Sequence, residues 1–319
     1  MPRATTNLVF LGCGAAAAAH SRTLERMSAP VRRFYASRSA AKAAAFERRF
    51  RGAGSYGTYE AALADGRTDV AFVATPPSSH LELTLAALGE GKHVIVEKPA
   101  FLQVADFDTV AAAARTAGRC VLVAENYAYK PLARTLQQLL GAGEVGDLRF
   151  VQLNAVKAQD PAGGWRADEG AAGGGALFEG GIHWIDLLAH LGPRVCSARG
   201  FRAGDPGAPE RSSVVVLDYA GGAVGTLLHS WEIRSPLRGL RLSRLYGTAG
   251  SIAFESNGLF VAACGRRTRV LLPGLSDLAG YRAMWGDFLR ALATGCEPLM
   301  TLGRARWDTE LVRAACAGH

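Results

Sequence analysis

The chain contains 319 residues, which is long for one compact domain and ordinary for two. Hydrophobic residues make up 49% and charged residues 20%, a globular composition with enough apolar material for two cores. The formal net charge is +8, but the basic residues are scattered and form no dense run with interleaved aromatics. This pattern argues against a nucleic-acid partner.

The six cysteines are far apart in the sequence, with no CxxC pair and no histidine at metal-ligand spacing. We therefore expect small buried side chains rather than disulfides or a metal site. No run of about 18 apolar residues could span a bilayer. The amino-terminal residues also lack the pattern of a secretory signal. The expectation is a reduced, cytoplasmic protein without a membrane segment.

The first 125 residues alternate short apolar runs with alanine-rich stretches, and this rhythm predicts a doubly wound parallel sheet, an α/β fold. The predicted strands are Leu8–Leu11, Val31–Ala36, Val70–Ala74, His93–Val96 and Cys120–Ala124. The predicted helices are Ala15–Arg26, Ala40–Arg49, Thr58–Ala64, Ser79–Leu88 and Asp106–Ala117. Ser79 and Glu82 match a capping box at the start of one of these helices. Residues 1–125 are thus predicted to form a Rossmann domain.

The rhythm changes from Asp147 onward, where strand-like runs follow one another through short turns. The predicted strands are Leu148–Val156, Val195–Phe201, Ser213–Tyr219, Val224–Ile233, Leu240–Tyr246 and Ile252–Phe254, and the predicted helices are about Glu179–Leu191, Tyr281–Ala293 and Arg304–Ala317. We expect residues 126–319 to form an α+β domain with a large, open, mainly antiparallel sheet. An open sheet face tends to be covered, which favours a homo-oligomer, either a dimer or a tetramer.

A glycine-rich turn follows the first predicted strand and opens the first helix. It has the pattern GxGxxA, with Gly12 at the tight turn, Gly14 where the backbone approaches a pyrophosphate, and Ala17 at the helix–sheet contact. Ala15 and Ala16 form the helix N-terminus, where the backbone amides favour a negative charge. In this context, the motif predicts a dinucleotide site.

The end of the second strand is the position that contacts the adenosine ribose in such domains. It carries no carboxylate in this chain, and the residues there are Ser37, Arg38 and Ser39. Arg38 is suited to pair with a 2′-phosphate, with hydrogen bonds from the serines, which favours NADP over NAD. The alternative is that Arg38 stacks on the adenine or points to solvent.

Two segments carry candidate reacting groups. Lys98 follows the fourth strand at the carboxyl edge of the sheet, where such folds bind ligands, although a lysine there is often only an exposed loop residue. Glu179, His183 and Asp186 have a spacing that places them on one face of a helix between glycines. The alternative for this row is a capped helix with a core histidine.

Four motifs follow one another along nearly the whole chain: GCGAAAAAH, VATPPSSHLELTLAAL, GKHVIVEKP and GGGALFEGGIHWIDLLAHLG. Together with YGTAGSIAFE, they resemble the glucose–fructose oxidoreductase/inositol dehydrogenase (Gfo/Idh/MocA) family. The resemblance implies an NAD(P)-dependent oxidoreductase that transfers a hydride to or from a sugar, polyol, cyclitol or related small molecule. It is specific for fold and cofactor class and much less so for substrate.

By the same resemblance, Lys98 and His183 are the proton-handling pair, with Glu179 where the family commonly has aspartate and Asp186 at a later aspartate of the motif. The resemblance further implies a set of cofactor contacts, namely Thr75, Pro76, His80, Glu97, Lys98, Asn126 and Arg166. The implied substrate contacts are Tyr127, Trp165, Glu179 and His183. Ala128 stands where relatives usually have arginine, so a relative's substrate does not transfer safely.

Two other classes of function stay open on the sequence. One is an enzyme that uses hydride transfer only transiently, such as an NAD-dependent glycosidase or an epimerase. The other is a non-catalytic protein that senses a dinucleotide. The presence of both Lys98 and His183 argues against a sensor, which needs neither residue.

Overall fold

The computed structural model describes residues 5–159, 169–235 and 239–318. The chain divides into two compact units. The first comprises Met1–Glu125 and Tyr281–Ala305, and the second comprises Asn126–Gly280 and Arg306–His319. The segment Tyr281–Ala305, which was assigned to the second domain on the sequence, thus has its contacts in the first unit.

The first unit contains a six-stranded parallel sheet with the strand order β3-β2-β1-β4-β5-β6. Its strands are β1 (Thr6–Leu11), β2 (Val31–Ala36), β3 (Gly54–Tyr56), β4 (Val70–Val73), β5 (His93–Glu97) and β6 (Val121–Ala124). This is the order of a doubly wound dinucleotide-binding sheet. The strands are apolar on both faces because helices cover both sides, as β4 shows by its complete burial. The predicted parallel sheet is therefore confirmed.

The helices of the chain flank these strands and those of the second unit. They are α1 (Ala15–Arg26), α2 (Ala40–Arg49), α3 (Tyr59–Ala64), α4 (His80–Gly89), α5 (Val104–Ala117), α6 (Pro131–Gly141), α7 (Glu169–Ala172), α8 (Ile182–Ala189), α9 (Tyr281–Thr294) and α10 (Leu302–Cys316). None of the helices in the described ranges is long and apolar enough to cross a membrane.

The capping box predicted for Ser79 and Glu82 is wrong. Pro77–Ser79 form a 3₁₀ turn, and the side chain of Ser79 caps no helix amide. Instead, the Ser79 hydroxyl donates to the Pro76 carbonyl at 2.9 Å and contacts Thr75 Oγ1 at 2.8 Å. A serine can bond to the backbone of its own turn, and here that local bond competes successfully with capping.

The second unit contains an eight-stranded sheet with the order β14-β13-β12-β11-β7-β10-β9-β8. Its strands are β7 (Leu148–Val156), β8 (Val195–Ala203), β9 (Ser212–Tyr219), β10 (Val224–Ser230), β11 (Leu242–Gly247), β12 (Ser251–Glu255), β13 (Val261–Cys264) and β14 (Thr268–Leu271). Only β7 and β10 pair in parallel, and the other neighbours are antiparallel. The predicted mainly antiparallel sheet is confirmed, and β13 and β14 are additional to the prediction.

The two faces of this sheet differ in their exposure. On β7, Val151 and Leu153 are buried while Phe150 is 60% exposed. On β10, Leu227 is buried and Leu228 is 46% exposed. The alternation follows the period of two along a strand, so one face of the sheet belongs to the core and the other is open.

Candidate active site

The turn after β1 requires a glycine at Gly12. Its φ is +108°, a conformation that side-chain-bearing residues rarely adopt, and a Cβ there would lie 2.6 Å from the Ala74 carbonyl oxygen. Cys13 is buried beside it, with its thiol contacting the Ala36 carbonyl, and burial raises the pKa of this thiol to about 11. Cys13 is therefore a packing residue, and Gly12 lets β1 turn tightly against the end of β4.

Gly14 has a different role from Gly12. It precedes α1 with φ −109°, an extended conformation open to any residue, and a Cβ there would meet nothing within 4 Å. No side chain caps this N-terminus, and the first turn of α1 contains no acidic residue. The helix therefore presents backbone amides beside an open surface, which suits the negative charge of a pyrophosphate.

The residues at the end of β2 are arranged as a short polar loop. Ser37 is buried and its hydroxyl accepts from the Ser39 amide at 3.2 Å, while the Ser39 hydroxyl caps α2. Arg38 is exposed and hydrogen-bonds the phenol of Tyr59. Burial raises the pKa of Tyr59 and the Arg38 guanidinium partly opposes this. The loop residues Ser37, Arg38 and Ser39 include no carboxylate, so the loop fits an anionic ligand.

His80 ties together the two loops that follow β4 and β5. Its Nε2 lies 2.9 Å from the Thr75 carbonyl oxygen, and its Nδ1 lies 3.0 Å from the carbonyl oxygens of Pro99 and Ala100. The side chain is buried, which lowers its pKa although the backbone contacts oppose the shift. The predicted cofactor residue His80 thus fixes the backbone of the Thr75–Pro76 loop and the loop of Lys98.

Glu97 and Lys98 lie at the end of a buried chain of hydrogen bonds. The Trp285 indole donates to His20 Nδ1 at 3.0 Å, so His20 Nε2 carries the proton that is donated to Glu97 Oε1 at 2.7 Å. The Lys98 amide donates to Glu97 Oε2 at 3.1 Å. Burial raises the pKa of Glu97, but the hydrogen bond from His20 and the charge of Lys98 outweigh it and lower the pKa. Glu97, predicted to contact the cofactor ribose, is held ionised against the Lys98 backbone.

The segment that carries Glu179 departs from regular α-helix. Leu177–Gly181 form a π turn that leads into α8, and π turns are frequent at functional sites. The buried carboxylate of Glu210 anchors its start by accepting from the Leu177 amide at 2.8 Å. Gly180 is required by packing, because a Cβ there would lie 2.6 Å from Cζ2 of Trp231.

His183 lies in the first turn of α8 and stacks on Tyr127, with 4.3 Å between ring centroids and 15° between planes. Trp184 packs edge-on against the same tyrosine, and the Lys130 ammonium lies 4.2 Å from the centre of its ring. The predicted substrate contact Tyr127 and the predicted acid/base His183 are thus brought together. The stacking fixes the plane of the imidazole.

His229 is a second histidine beside this pair, and the sequence analysis missed it. It is 2% exposed on the inner face of β10 and interacts electrostatically with both Glu179 and His183. Burial lowers its pKa to about 3, the charges of Arg241 and His183 add to that effect, and Glu179 opposes it. The ring is therefore neutral near neutral pH.

Asp186 is fully buried on α8 and makes ion-pair contacts on the side of α10. His190 Nε2 lies 3.8 Å from Asp186 Oδ1 and 3.0 Å from Asp308 Oδ1. One ring nitrogen of His190 and one carboxylate oxygen each of Asp186 and Asp308 lie within 4.8 Å of one another. We propose no metal ion at this cluster. Asp186 therefore supports the helix that carries His183.

Three other predicted site residues remain, one of them in the described part of the chain. The Asn126 amide donates to the Ala279 carbonyl at 2.6 Å, which joins two segments of the second unit. Trp165 and Arg166 lie outside the described residues.

Comparison with known proteins identifies both parts of the chain. Residues 6–125 match the model "Oxidoreductase family, NAD-binding Rossmann fold", and residues 133–253 match the "GFO/IDH/MocA C-terminal domain". A putative UDP-kanosamine synthase oxidoreductase subunit of Amycolatopsis mediterranei is 39% identical over 132 residues, which is 41% of this chain and 36% of that protein. The trans-1,2-dihydrobenzene-1,2-diol dehydrogenase of Sus scrofa is 31% identical over 197 residues, 60% of this chain and 57% of that protein. The chain thus spans less than two thirds of the length of each.

A solved structure of levoglucosan dehydrogenase in complex with NADH has a TM-score of 0.87 at 21% identity, covering 98% of this chain and 96% of that one. At this identity the likeness establishes the fold alone. The family models, however, match the sequences of both units in order. The chain belongs to the GFO/IDH/MocA oxidoreductase family.

Proposed function

We propose that the protein is an NAD(P)-dependent dehydrogenase or reductase that interconverts a carbinol and a carbonyl in a sugar, polyol, cyclitol or related small molecule. The observation that carries the proposal is the stacking of His183 on Tyr127 beside the buried His229, which interacts electrostatically with both His183 and the buried Glu179. Support comes from the glycine-dependent turn at Gly12 and Gly14 in the same chain. The relatives' names, a diol dehydrogenase among them, agree with this class.

Gly12, Gly14 and the N-terminus of α1 would hold the pyrophosphate, and the Thr75–Pro76 loop would lie against the nicotinamide half. When bound, the dinucleotide supplies the hydride acceptor or donor. The chain's own residues must then move the proton on the reacting oxygen, a contribution typically of about 10²–10⁴-fold in rate. We assign the proton to His183, whose orientation Tyr127 fixes by stacking.

Lys98 is assigned to the reacting oxygen as its electrostatic partner. Its ammonium favours the oxygen anion that develops as the proton leaves. Glu97 fixes the backbone of Lys98 through the amide hydrogen bond, and His80 fixes the next two residues of the same loop. The loop is therefore rigid where the side chain must be positioned.

The test is turnover of a panel of polyols, sugars and cyclitols, followed by the absorbance of reduced nicotinamide. Lys98→Met and His183→Ala should each lower kcat by about 10²-fold or more while cofactor binding, measured by fluorescence titration, is retained. Lys157→Met, at an exposed lysine of the second unit, is the matched control. Near-native turnover of both site variants would refute the assignment. Substrate consumption without net reduced cofactor would indicate the transient-hydride class instead.

We infer a preference for NADP from Ser37, Arg38 and Ser39. The exposed guanidinium of Arg38 is held by Tyr59 beside the buried Ser37, and a 2′-phosphate would accept from both. Arg38→Asp should therefore lower the ratio of NADP to NAD affinity by about tenfold or more. The inference fails if wild-type protein binds NAD at least as tightly, or if the ratio is unchanged in the variant.

We also propose that the protein is a cytoplasmic homo-oligomer, a dimer or tetramer built on the open face of the eight-stranded sheet. This open face carries exposed apolar residues on four strands, namely Phe150, Phe201, Leu228, Leu242 and Tyr246. Exposed apolar surface of this kind favours burial, and a second copy offers the same surface. All six cysteines are unpaired, which supports a reducing compartment.

A further inference from the structure

His229 is a buried side chain whose hydrogen-bonding capacity is unused within the described part of the chain. It is 2% exposed, and its Nδ1 has no hydrogen-bond partner. Buried polar atoms in native proteins almost always have a partner, and an unsatisfied one calls for a specific explanation.

The His229 ring lies near the π turn and α8, which carry Glu179 and His183. Trp231, two residues further along, lies on the same side of the chain, and its indole packs against Gly180 of the π turn. His229 in turn interacts electrostatically with Glu179 and His183. The unpartnered Nδ1 therefore belongs to a ring within electrostatic reach of Glu179 and of His183, the proposed acid/base.

The protonation state of His229 limits what it can bind. Because the ring is neutral, one nitrogen donates a hydrogen bond and the other accepts one. A carboxylate or phosphate can only accept, and an alkyl group can do neither. A hydroxyl group can accept from the protonated nitrogen or donate to the bare one, so it is the substrate group that pairs with a neutral imidazole in either tautomer.

We propose that His229 is a specificity-determining residue that binds a second hydroxyl of the substrate, on the carbon beside the reacting carbinol. The protein then selects vicinal diols and larger polyols over simple alcohols. This inference rests on the proposed function and narrows its substrate class. A site built to hydrogen-bond a substrate hydroxyl rejects an analogue that lacks it, because the buried polar group is then left unpaired.

The probes are trans-cyclohexane-1,2-diol and cyclohexanol, assayed with the full chain and saturating cofactor. His229→Leu should lower kcat/KM for the diol by about tenfold or more, chiefly through KM, and change that for cyclohexanol by less than about threefold. His229→Asn, whose amide again offers a donor and an acceptor, should restore most of the diol activity. If the leucine variant does not fold, His229→Phe keeps a planar ring without nitrogens and tests the same point.

Binding of the diol to each variant, measured by calorimetry, separates the two proposals. If wild-type protein binds and oxidises the diol and His229→Leu does so equally well, this inference is overturned while the proposed function stands. An equal loss for both alcohols also overturns it, because that pattern indicates a general structural role. If wild-type protein neither binds nor turns over any member of the panel, the proposed function fails, and the inference fails with it.

Discussion

Substituting alanine at Gly12 and at Gly14 should separate a folding requirement from a binding requirement within one turn. At Gly12 the added Cβ meets the Ala74 carbonyl at 2.6 Å and the backbone has φ +108°. Strain of this kind costs about 1–3 kcal/mol, and the clash adds to it, so we expect a loss of about 2–4 kcal/mol in unfolding free energy. At Gly14 the Cβ meets nothing within 4 Å and φ is −109°. The change in stability there should stay within about 1 kcal/mol.

The affinity for NADPH should be more sensitive to the substitution at Gly14 than to the one at Gly12. The methyl group of Gly14→Ala occupies the surface where the pyrophosphate approaches α1, so the Kd for NADPH should rise by about tenfold or more. Urea unfolding with an unchanged slope gives the stabilities, and fluorescence titration gives the affinities. Gly66→Ala, at an exposed glycine with open surroundings, is the control for both. Equal destabilisation by the two variants, or full NADPH affinity in Gly14→Ala, would refute the argument.

Three further predictions concern the remaining features. Trp285→Phe removes the indole N–H that donates to the fully buried His20. The free energy of unfolding, measured by urea titration, should therefore fall by about 1–3 kcal/mol. An unchanged value would contradict the chain of hydrogen bonds. The unfolded chain takes up a proton at His229 near pH 6.5, whereas the folded chain does so only near pH 3. The contribution of the neutral His229 to the free energy of unfolding is therefore complete above pH 6.5 and is lost as the pH falls to 3. The loss is about 5 kcal/mol at most. His229→Leu should flatten this part of the curve of stability against pH. Finally, Phe150→Glu should shift the protein towards monomer in sedimentation velocity. Leu275→Glu, at a similarly exposed residue outside the strands, should not. Equal behaviour of the two variants would count against the sheet face as the interface.

The parallel sheet was predictable because its evidence is local. β4 and β6 are continuous apolar runs bounded by turns, because both of their faces are buried, and β1 is apolar from Leu8 onward. β3 was missed because three residues, Gly54–Tyr56, are too few to establish a period. The helix at Glu179 was predicted with α-helical spacing, whereas a π turn precedes α8, and the sequence pattern has no means of showing that local change.

The partners of the predicted site residues were not predictable in the same way. His20 meets Glu97 across 77 positions of sequence and Trp285 across 265, so only the folded chain brings them together. A sequence signal existed for His20, since it is the first polar side chain in a helix that opens with five alanines. A similar signal existed for His229, which occupies an inward position of β10 in line with Leu227 and Trp231. A polar residue at an apolar position marks a site whose neighbours must still be found.

His183 and His229 of the second unit illustrate how burial divides chemical roles between identical side chains. With a pKa of about 3, His229 does not accept a substrate proton near neutral pH, although it lies beside the groups that handle it. The proposed function accordingly assigns proton transfer to His183 and leaves the neutral His229 to act through hydrogen bonding. An environment that separates the protonation behaviour of neighbouring groups is what allows one site to combine catalysis with recognition. In this protein, that separation rests on the packing of β10 against the π turn, so a substitution that let water reach His229 should weaken selectivity before it affects proton transfer.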